Sequence, residues 1–342
     1  MSSYPPARPS RGTGHHPDRS GPDGHDGPRA RRERIRLALA CSAATALLMG
    51  CPATGRHTTG DPVGHLPPRH PASSTSADGR PARAASAGHG TRTPSPTPAD
   101  TALARALEPI RTRSGIQLSV AVLEPATGRR AVYGSRHHIT ASLSKVNILA
   151  ALLLRAQHED RPLTGWETST AASMIRSSDN DSADALWRWI GAGPGLTDAN
   201  RTLGLTSTQA GPGFHWGLTR TTATDQLKLL DAVFADRSPL SGASRRLIRT
   251  FMSQVDDDQA WGVSAEGTGR QLKNGWLQRS HSQRWAINSM GRVTAHGSAF
   301  HLVVLSYGSP SMEHGVSAVE RAARSAVHAL CSTPPPVPPI IR

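Results

Sequence analysis

The sequence predicts an α/β fold of the α+β type, in which helices flank an antiparallel sheet and an all-helical subdomain is inserted between its strands. Residues 116–134 alternate between apolar and polar types and turn at Pro125–Gly128, which predicts a β-hairpin. Residues 167–237 have mostly helical periodicity, and residues 284–308 predict two more strands joined by a glycine-containing turn. Strands at both ends of a domain can join one sheet.

Three further helices complete the predicted order of elements. Residues 101–115 have apolar positions at helical spacing and end in glycine. The unbroken apolar stretch after Ser142 predicts a deeply buried helix that begins near that residue, and residues 311–330 predict a closing amphipathic helix.

Composition divides the 342 residues into four parts. Residues 1–51 are a basic N-region and signal peptide with a lipobox-like end, and residues 52–100 are a disordered linker rich in Pro, Ser and Thr. Residues 101–331 form the folded domain, and residues 332–342 are a Pro-rich tail. The folded part has the size of one domain or of two closely packed subdomains.

The N-terminal part predicts export. A cationic run precedes the apolar stretch Leu37–Gly50, which is too short to span a bilayer as a helix and is typical of a secretory signal. The sequence Leu48–Cys51 resembles the lipobox of bacterial lipoproteins, in which Cys51 would be lipidated. Arg31 and Arg32 leave the choice between the Sec and twin-arginine routes open. The expected location is the extracellular face of the membrane, through the lipid anchor, or the secreted fraction.

Cysteines and charge exclude two classes of protein. If Cys41 leaves with the signal and Cys51 carries lipid, only Cys331 remains, so the domain has no disulfide framework. The net charge is +14, but the basic residues are scattered and form no aromatic-interleaved patch, which argues against a nucleic-acid partner. The number of subunits stays open.

Lysine is rare in this chain, and its positions are informative. The chain has 39 Lys plus Arg, yet lysine occurs only at Lys145, Lys228 and Lys273. Ser142 precedes Lys145 by three residues, which places both on one face of a helix. A serine hydroxyl needs a base to become a nucleophile, and a buried lysine can be that base because burial disfavours its charge. Arginine stays protonated and cannot replace it. Taken alone, the pair also fits a capping serine followed by a surface lysine.

Two more motifs follow in order, Ser178-Asp179-Asn180 and Lys273-Asn274-Gly275. Each has a plain structural interpretation, the first as a helix cap and the second as a hairpin turn. Together with Ser142 and Lys145, however, they resemble the signature of the penicillin-recognising serine enzymes, the class A β-lactamases and the low-molecular-weight penicillin-binding proteins. The resemblance covers about residues 101–331 and includes a Thr-Thr helix start at residues 221–222. It implies a β-lactamase/transpeptidase-like fold with the site between its two parts.

The resemblance also implies a role for each matched residue. Ser142 would be the acylated nucleophile and Lys145 its base, while Ser178 would relay a proton to the leaving nitrogen. Asn180 would hold the substrate amide and orient Lys145, and Lys273 would face a substrate carboxylate. The remaining substrate-binding residues would be Asn274, Gly275 and Trp276, with the backbone N–H groups of Ser142 and Trp276 as the oxyanion hole.

Two departures from the family pattern bear on activity. No Glu occurs between Glu167 and Glu266, so the acid that activates the deacylating water in class A enzymes is missing. His215 could stand in as a base there, but a packing or hydrogen-bonding role is the favoured interpretation. Asn274 replaces the hydroxyl residue of the last motif, and the bulky Trp276 follows Gly275. Asp256–Asp258 lack a nearby pair of histidines at ligand spacing, and we expect no metal and no cofactor.

These features predict an exported serine hydrolase that acts through an acyl-enzyme on an amide or ester. A peptidoglycan stem peptide, another small molecule or peptide, or a β-lactam-like compound is the expected partner. One alternative is a non-catalytic lipoprotein that keeps the fold as a binding module. A true class A β-lactamase is the other, and the missing Glu disfavours it.

Overall fold

The computed structural model describes residues 95–333, which contain a five-stranded antiparallel sheet, a two-stranded sheet and eight α-helices. The predicted signal peptide, the lipidation at Cys51, most of the linker and the Pro-rich tail beyond residue 333 lie outside the described residues.

The elements follow the predicted order. The chain runs through α1 (Pro98–Ser114), β1 (Gln117–Glu124), β2 (Arg129–Tyr133), β3 (His138–Ile139), a 3₁₀ turn (Ala141–Leu143), α2 (Ser144–His158), α3 (Gly165–Arg176), α4 (Asn180–Trp189) and α5 (Ala192–Thr202). It continues through a second 3₁₀ turn (Trp216–Leu218), β4 (Arg220–Thr221), α6 (Ala223–Phe234), α7 (Gly242–Ser253), two short 3₁₀ segments (Asp257–Gln259 and Gly262–Glu266), β5 (Thr268–Gln278), β6 (Trp285–Ala295), β7 (Ser298–Ser309) and α8 (Met312–Cys331).

Five strands form the main sheet in the order β2-β1-β7-β6-β5, with every neighbouring pair antiparallel. The first and last strands of the domain thus meet, since Val120 of β1 lies opposite Val304 of β7. Strands β3 and β4 form a separate two-stranded pair, which the sequence did not predict. The predicted fold class, with a helical block inserted between two halves of one antiparallel sheet, is confirmed.

Alternation along the strands gives the sheet two apolar faces. Val303 and Leu305 of β7 and Met290 of β6 pack into a core that they share with α2 through α7. Helices α1 and α8 pack against each other and against the sheet. Helix α2 is buried along nearly its whole length, as predicted from its apolar sequence. Within residues 95–333 we find no helix with the length and apolarity that crossing a bilayer requires.

Helix α1 begins three residues before the predicted start, inside the segment assigned to the linker. Thr97 accepts a hydrogen bond from the N–H of Asp100 through its side chain, and the Asp100 carboxylate accepts one from the N–H of Thr97 at 2.8 Å. This capping box satisfies free N–H groups at the helix start. Asp100 also accepts from the N–H of Val132 on β2 at 2.7 Å, so the cap fixes α1 to the sheet.

The buried helix also begins later than predicted, at Ser144 instead of near Ser142. Ala141 has φ +49°, a left-handed conformation that interrupts regular helix geometry, and the chain closes a 3₁₀ turn before α2 starts. The amide of Asn288 on β6 holds this turn by donating to the carbonyls of Ile139 at 2.8 Å and Thr140 at 3.1 Å. A contact from the sheet therefore sets the position of Ser142.

Candidate active site

Ser142 lies in the 3₁₀ turn that leads into α2, where the backbone is strained. Ala141, the residue before it, has a positive φ that costs a non-glycine residue about 1–3 kcal/mol. The Ser142 side chain is half-buried at the junction between the sheet and the helical block. The half-buried serine therefore lies in a 3₁₀ turn, not in the interior of a helix.

Lys145 sits one turn further on and is completely buried. Its ammonium donates to the carbonyl and to the hydroxyl of Ser178, the latter at 3.1 Å, and to Oδ1 of Asn180 at 2.8 Å. Burial lowers the pKa of Lys145 well below its usual range and Lys273 lowers it further, whereas Asp179 opposes the shift. The interpretation of Lys145 as a surface lysine is therefore wrong, and its amine is suited to accept a proton.

Ser178 stands at the start of α4 and has φ +56°. Asp179 is the N-cap of that helix and accepts from the N–H of Ser182 at 2.7 Å, which fixes the turn. Asn180 follows as the first helical residue. It is exposed, and its side-chain oxygen accepts the hydrogen bond from Lys145. The helix-cap interpretation of this motif is thus correct for Asp179, while Ser178 and Asn180 are free to contact the lysine.

Lys273 approaches the same hydroxyl from the sheet. It lies in the middle of β5, fully buried, and its ammonium donates to Oγ of Ser178 at 2.9 Å and to the carbonyl of Asn274 at 3.1 Å. Burial lowers the pKa of Lys273 to about 7, against the opposing charges of Asp256 and Asp258. Ser178 therefore bridges two buried lysines whose protons are both easily removed.

The last motif is part of a strand and not the hairpin turn that we weighed as an alternative. Its glycine is required by close packing, because a Cβ on Gly275 would lie 2.6 Å from the carbonyl oxygen of Thr140 and 2.8 Å from the backbone nitrogens of Ser142 and Leu143. Strand β5 thus passes directly against the turn that carries the serine. The half-buried ring of Trp276 lies 5.8 Å from that of Trp261.

Asn274 is placed differently from its neighbours. Its side chain is fully buried and donates to the carbonyls of Gln259 at 2.6 Å and Trp261 at 3.0 Å. The amide anchors the loop before β5, so the structure does not bring it to the open side of the site. A direct contact between Asn274 and substrate stays a prediction.

The structure brings four predicted residues into direct contact, namely Lys145, Ser178, Asn180 and Lys273. The hydroxyl of Ser142 is not among these contacts, since none of the hydrogen bonds within residues 95–333 joins it to Lys145. Catalytic hydrogen bonds are often long before substrate binds and shorten in the complex. The roles predicted for these residues therefore stay predictions.

One residue beside Lys145, Trp216, was not identified from the sequence. The ring of Trp216 lies 4.8 Å from the ammonium of Lys145, and its Nε1–H donates to Asp184 at 2.6 Å. His215, for which the sequence favoured a packing or hydrogen-bonding role over that of a base, is exposed, and no side-chain hydrogen bond from it appears within the described residues. The sequence shows an aromatic residue, Trp216, in the segment that lacks an acid, but the direction of its side chain depends on the fold. Trp216 thus covers the side of Lys145 that faces this segment.

No metal centre accompanies this arrangement in the part of the chain that the structure describes. Residues 95–333 contain no group of three or more His, Cys, Asp or Glu side chains that could hold an ion. Asp257, from the acidic cluster considered in the sequence, pairs with Arg270 at 2.9 Å.

Comparison with known proteins agrees with this geometry. A family model described as "Beta-lactamase enzyme family" matches residues 168–330. The "Putative lipoprotein LppW" of Mycobacterium tuberculosis is 33% identical over 118 residues, which is 34% of this chain and 38% of that protein. The matched region therefore spans little more than a third of the curated relative.

Solved structures of class A β-lactamases share the fold over nearly their whole length. A class A enzyme from Bacteroides cellulosilyticus is 14% identical and covers 70% of this chain and 100% of its own, with a TM-score of 0.60. A variant of the last common ancestor of the Gram-negative class A enzymes is 22% identical, covers 67% and 98%, and has a TM-score of 0.57. A β-lactamase from Chitinophaga pinensis is 17% identical, covers 66% and 98%, and has a TM-score of 0.59. These structures confirm the predicted β-lactamase/transpeptidase-like fold, and the family model agrees with it over residues 168–330.

Proposed function

We propose that this chain is a serine hydrolase that forms an acyl-enzyme at Ser142 with an amide or ester substrate. The observation that carries the proposal is the Ser178 hydroxyl, which lies within hydrogen-bond distance of two buried lysines, Lys145 and Lys273. Burial depresses the pKa of both amines. Two such lysines are costly to bury, and a purely structural role does not explain them.

The reaction follows from the roles of these groups. Neutral Lys145 takes the proton of the Ser142 hydroxyl as Oγ bonds to the substrate carbonyl carbon. The backbone N–H groups of Ser142 and Trp276 stabilise the oxyanion that forms. Its collapse breaks the bond to the leaving nitrogen or oxygen, which receives a proton through Ser178. Water or an amine then takes the acyl group and restores the free serine.

A carboxylate-bearing substrate fits this site best. Lys273 retains a substantial fraction of its positive charge near neutral pH, because its pKa is about 7. Stem peptides of the cell wall and β-lactams both combine an amide carbonyl with a carboxylate. Export and lipid anchoring at Cys51 belong to the same proposal, and the similarity to a lipoprotein over 118 residues supports them.

The acyl-enzyme should be long-lived. Where class A enzymes are expected to place the water-activating acid, this chain places Trp216 over Lys145. An indole is neither an acid nor a base at neutral pH, so it cannot activate water. This supports a peptidase-like or acyl-transferring enzyme over a true class A β-lactamase.

A second candidate is a non-catalytic binding lipoprotein with this fold. The observation that favours it is the engagement of the Lys145 amine by Ser178 and Asn180, with no hydrogen bond to Ser142 among the described contacts. Under this alternative the polar cluster recognises a ligand but forms no covalent bond.

Intact-mass labelling of the purified chain separates the two candidates. The protein is incubated with a fluorescent penicillin and, separately, with a fluorophosphonate, and the adduct mass is followed over time. Ser142→Ala and Lys145→Arg are the loss-of-function variants, and Ser144→Ala changes a neighbouring serine whose hydroxyl donates to the carbonyl of Ala141. The proposal predicts an adduct that Ser144→Ala retains and the other two variants lose. Absence of any adduct on the folded wild-type chain would favour the binding lipoprotein.

A further inference from the structure

A second concave site lies on the sheet under helix α7, separate from the acyl-enzyme site. It is an open cleft of about 520 Å³, and its lining includes Arg246, Arg249, Arg292, Phe234 and His301. None of the residues assigned to the acyl-enzyme lines it.

The polar side chains of the cleft come from the sheet and from α7, while Phe234 at the end of α6 completes the lining. On the sheet, Gln271 of β5, Arg292 of β6 and His301 of β7 lie opposite one another in register, so their side chains share one face. On α7, Arg246 and Arg249 are three residues apart and therefore lie on the same side of the helix. The sequence positions are remote, yet the fold directs them to one place.

The charges of the cleft are unbalanced. Its lining contains three arginines and no Asp or Glu, and no ion pair of Arg246, Arg249 or Arg292 occurs within residues 95–333. Arg245, one residue away, differs because it approaches Asp236 at 3.7 Å. Burial lowers the pKa of Arg249, and the charges of Arg245, Arg246 and Arg292 lower it further, whereas Asp236 opposes the shift. Asp236 offsets part of the positive charge at Arg249, and the remaining like charges repel one another in the free protein.

His301 provides an independent indication of a ligand. The side chain is 1% exposed, lines the cleft, and its Nδ1 is buried without a hydrogen-bond partner in the described structure. Burial and the charge of Arg292 lower the pKa of His301 to about 4, so the ring is neutral at physiological pH. A buried polar atom without a partner is uncommon, and a bound group is one of its ordinary explanations. The ring also packs 5.0 Å from that of Phe234, which fixes its position.

We propose that this cleft binds a phosphate group, carried by a small organic phosphate or by a lipid headgroup. Guanidinium groups bind phosphate oxygens through paired hydrogen bonds, and a dianion balances several of them at once. Arg249 and Arg292 supply the inner charges, Arg246 supplies the outer one, and His301 lies at the wall. The cleft is larger than a single phosphate requires, so the group is expected to be esterified.

Calorimetric titration of the full chain at constant ionic strength of about 0.15 M tests the proposal. The probes are inorganic phosphate, glycerol phosphate and, by co-sedimentation, vesicles with and without phosphatidylglycerol. We expect saturable binding of at least one phosphate-bearing probe. Tighter binding of glycerol phosphate assigns a soluble ester, whereas binding only to phosphatidylglycerol vesicles assigns a lipid headgroup.

Variants locate the binding. Arg249→Gln and Arg292→Gln are each expected to weaken it about tenfold or more, since each removes a charge-assisted hydrogen bond. Arg105→Gln removes the same charge from an exposed position on α1 and should bind as the wild type does. Arg246→Gln, at an exposed position of the cleft, carries the test if an inner variant does not fold. Absence of saturable binding by any probe, or equal affinity of the cleft variants and Arg105→Gln, would overturn the proposal.

Discussion

Replacing Gly275 by alanine should damage the site through backbone contact alone. The new Cβ would lie 2.6–2.8 Å from three backbone atoms of Thr140, Ser142 and Leu143, and ordinary contacts begin near 3.4 Å. Strand β5 and the 3₁₀ turn must therefore separate by about 0.6–0.8 Å, because backbone atoms cannot rotate away as a side chain can.

The magnitude follows from that displacement. Overpacking of this kind costs about 1–3 kcal/mol, which lowers Tm by about 3–10 °C in a domain of this size. A shift approaching 1 Å between the nucleophile and the oxyanion hole should slow acylation by up to about 100-fold. The loss of labelling rate should therefore exceed what partial unfolding at the assay temperature explains.

The assay combines thermal unfolding with the rate of fluorophosphonate labelling. Gly165→Ala is the matched control, because no atom lies within 4 Å of the position that its Cβ would take and alanine is a better helix former. We expect it to leave the labelling rate unchanged and the Tm unchanged or slightly raised. A Gly275→Ala protein with wild-type Tm and wild-type labelling rate would refute the packing of β5 against the serine turn.

Three other perturbations have defined outcomes. Arg161 lowers the pKa of the buried Glu167 from 4.5 to about 2, so above pH 4.5 the ionised carboxylate contributes about 3 kcal/mol to the free energy of unfolding, and this contribution is lost as pH falls toward 2. Glu167→Gln should therefore flatten the dependence of Tm on pH between about 5 and 2. A dependence as steep as that of the wild type would contradict this. Lys273 loses its proton as pH rises through about 7, so above that pH the rate of labelling by carboxylate-bearing penicillin should fall relative to the rate of fluorophosphonate labelling. A constant ratio of the two rates would argue against contact between Lys273 and a carboxylate. Trp216→Ala should admit water beside Lys145 and shorten the lifetime of a penicillin adduct several-fold. Trp216→Phe keeps a ring there and should change the lifetime less. Equal adduct lifetimes in Trp216→Ala and the wild type would contradict the covering role of Trp216.

Local patterns predicted most elements of the fold, but not the short strands β3 and β4. The spacing of apolar residues predicted the hairpin of β1 and β2, the buried helix α2 and the closing helix α8. This spacing is a local property of the sequence. The start of α1 differed because Thr97 and Asp100 form a cap within residues that composition had assigned to the linker.

Long-range contacts account for what the sequence did not predict. Ser142 lies in a 3₁₀ turn instead of the first turn of α2, because Asn288, which is remote in sequence, binds the carbonyls before it. The direction of the Asn274 side chain depends on the loop at Gln259, to which it donates. No periodicity in the strand around Asn274 encodes that contact.

In the candidate site too, local motifs predicted some residues, whereas others depend on long-range contacts. The three motifs identified Lys145, Ser178 and Lys273, and the fold brings them within hydrogen-bond distance. Trp216 was missed because its approach to Lys145 depends on the path of the segment before β4, which is set by pairing with β3. The arginine cleft was missed for a similar reason, since its residues come from α7 and from three strands.

The central claim is that Ser142 becomes acylated, and the most direct measurement is the location of the adduct. The full chain is labelled with fluorophosphonate or penicillin, digested, and the modified peptide is sequenced by tandem mass spectrometry. We predict that the mass is added to Ser142 and that Lys145→Arg abolishes the modification while the protein stays folded. Modification of another residue, or an equal yield in Lys145→Arg, would contradict it.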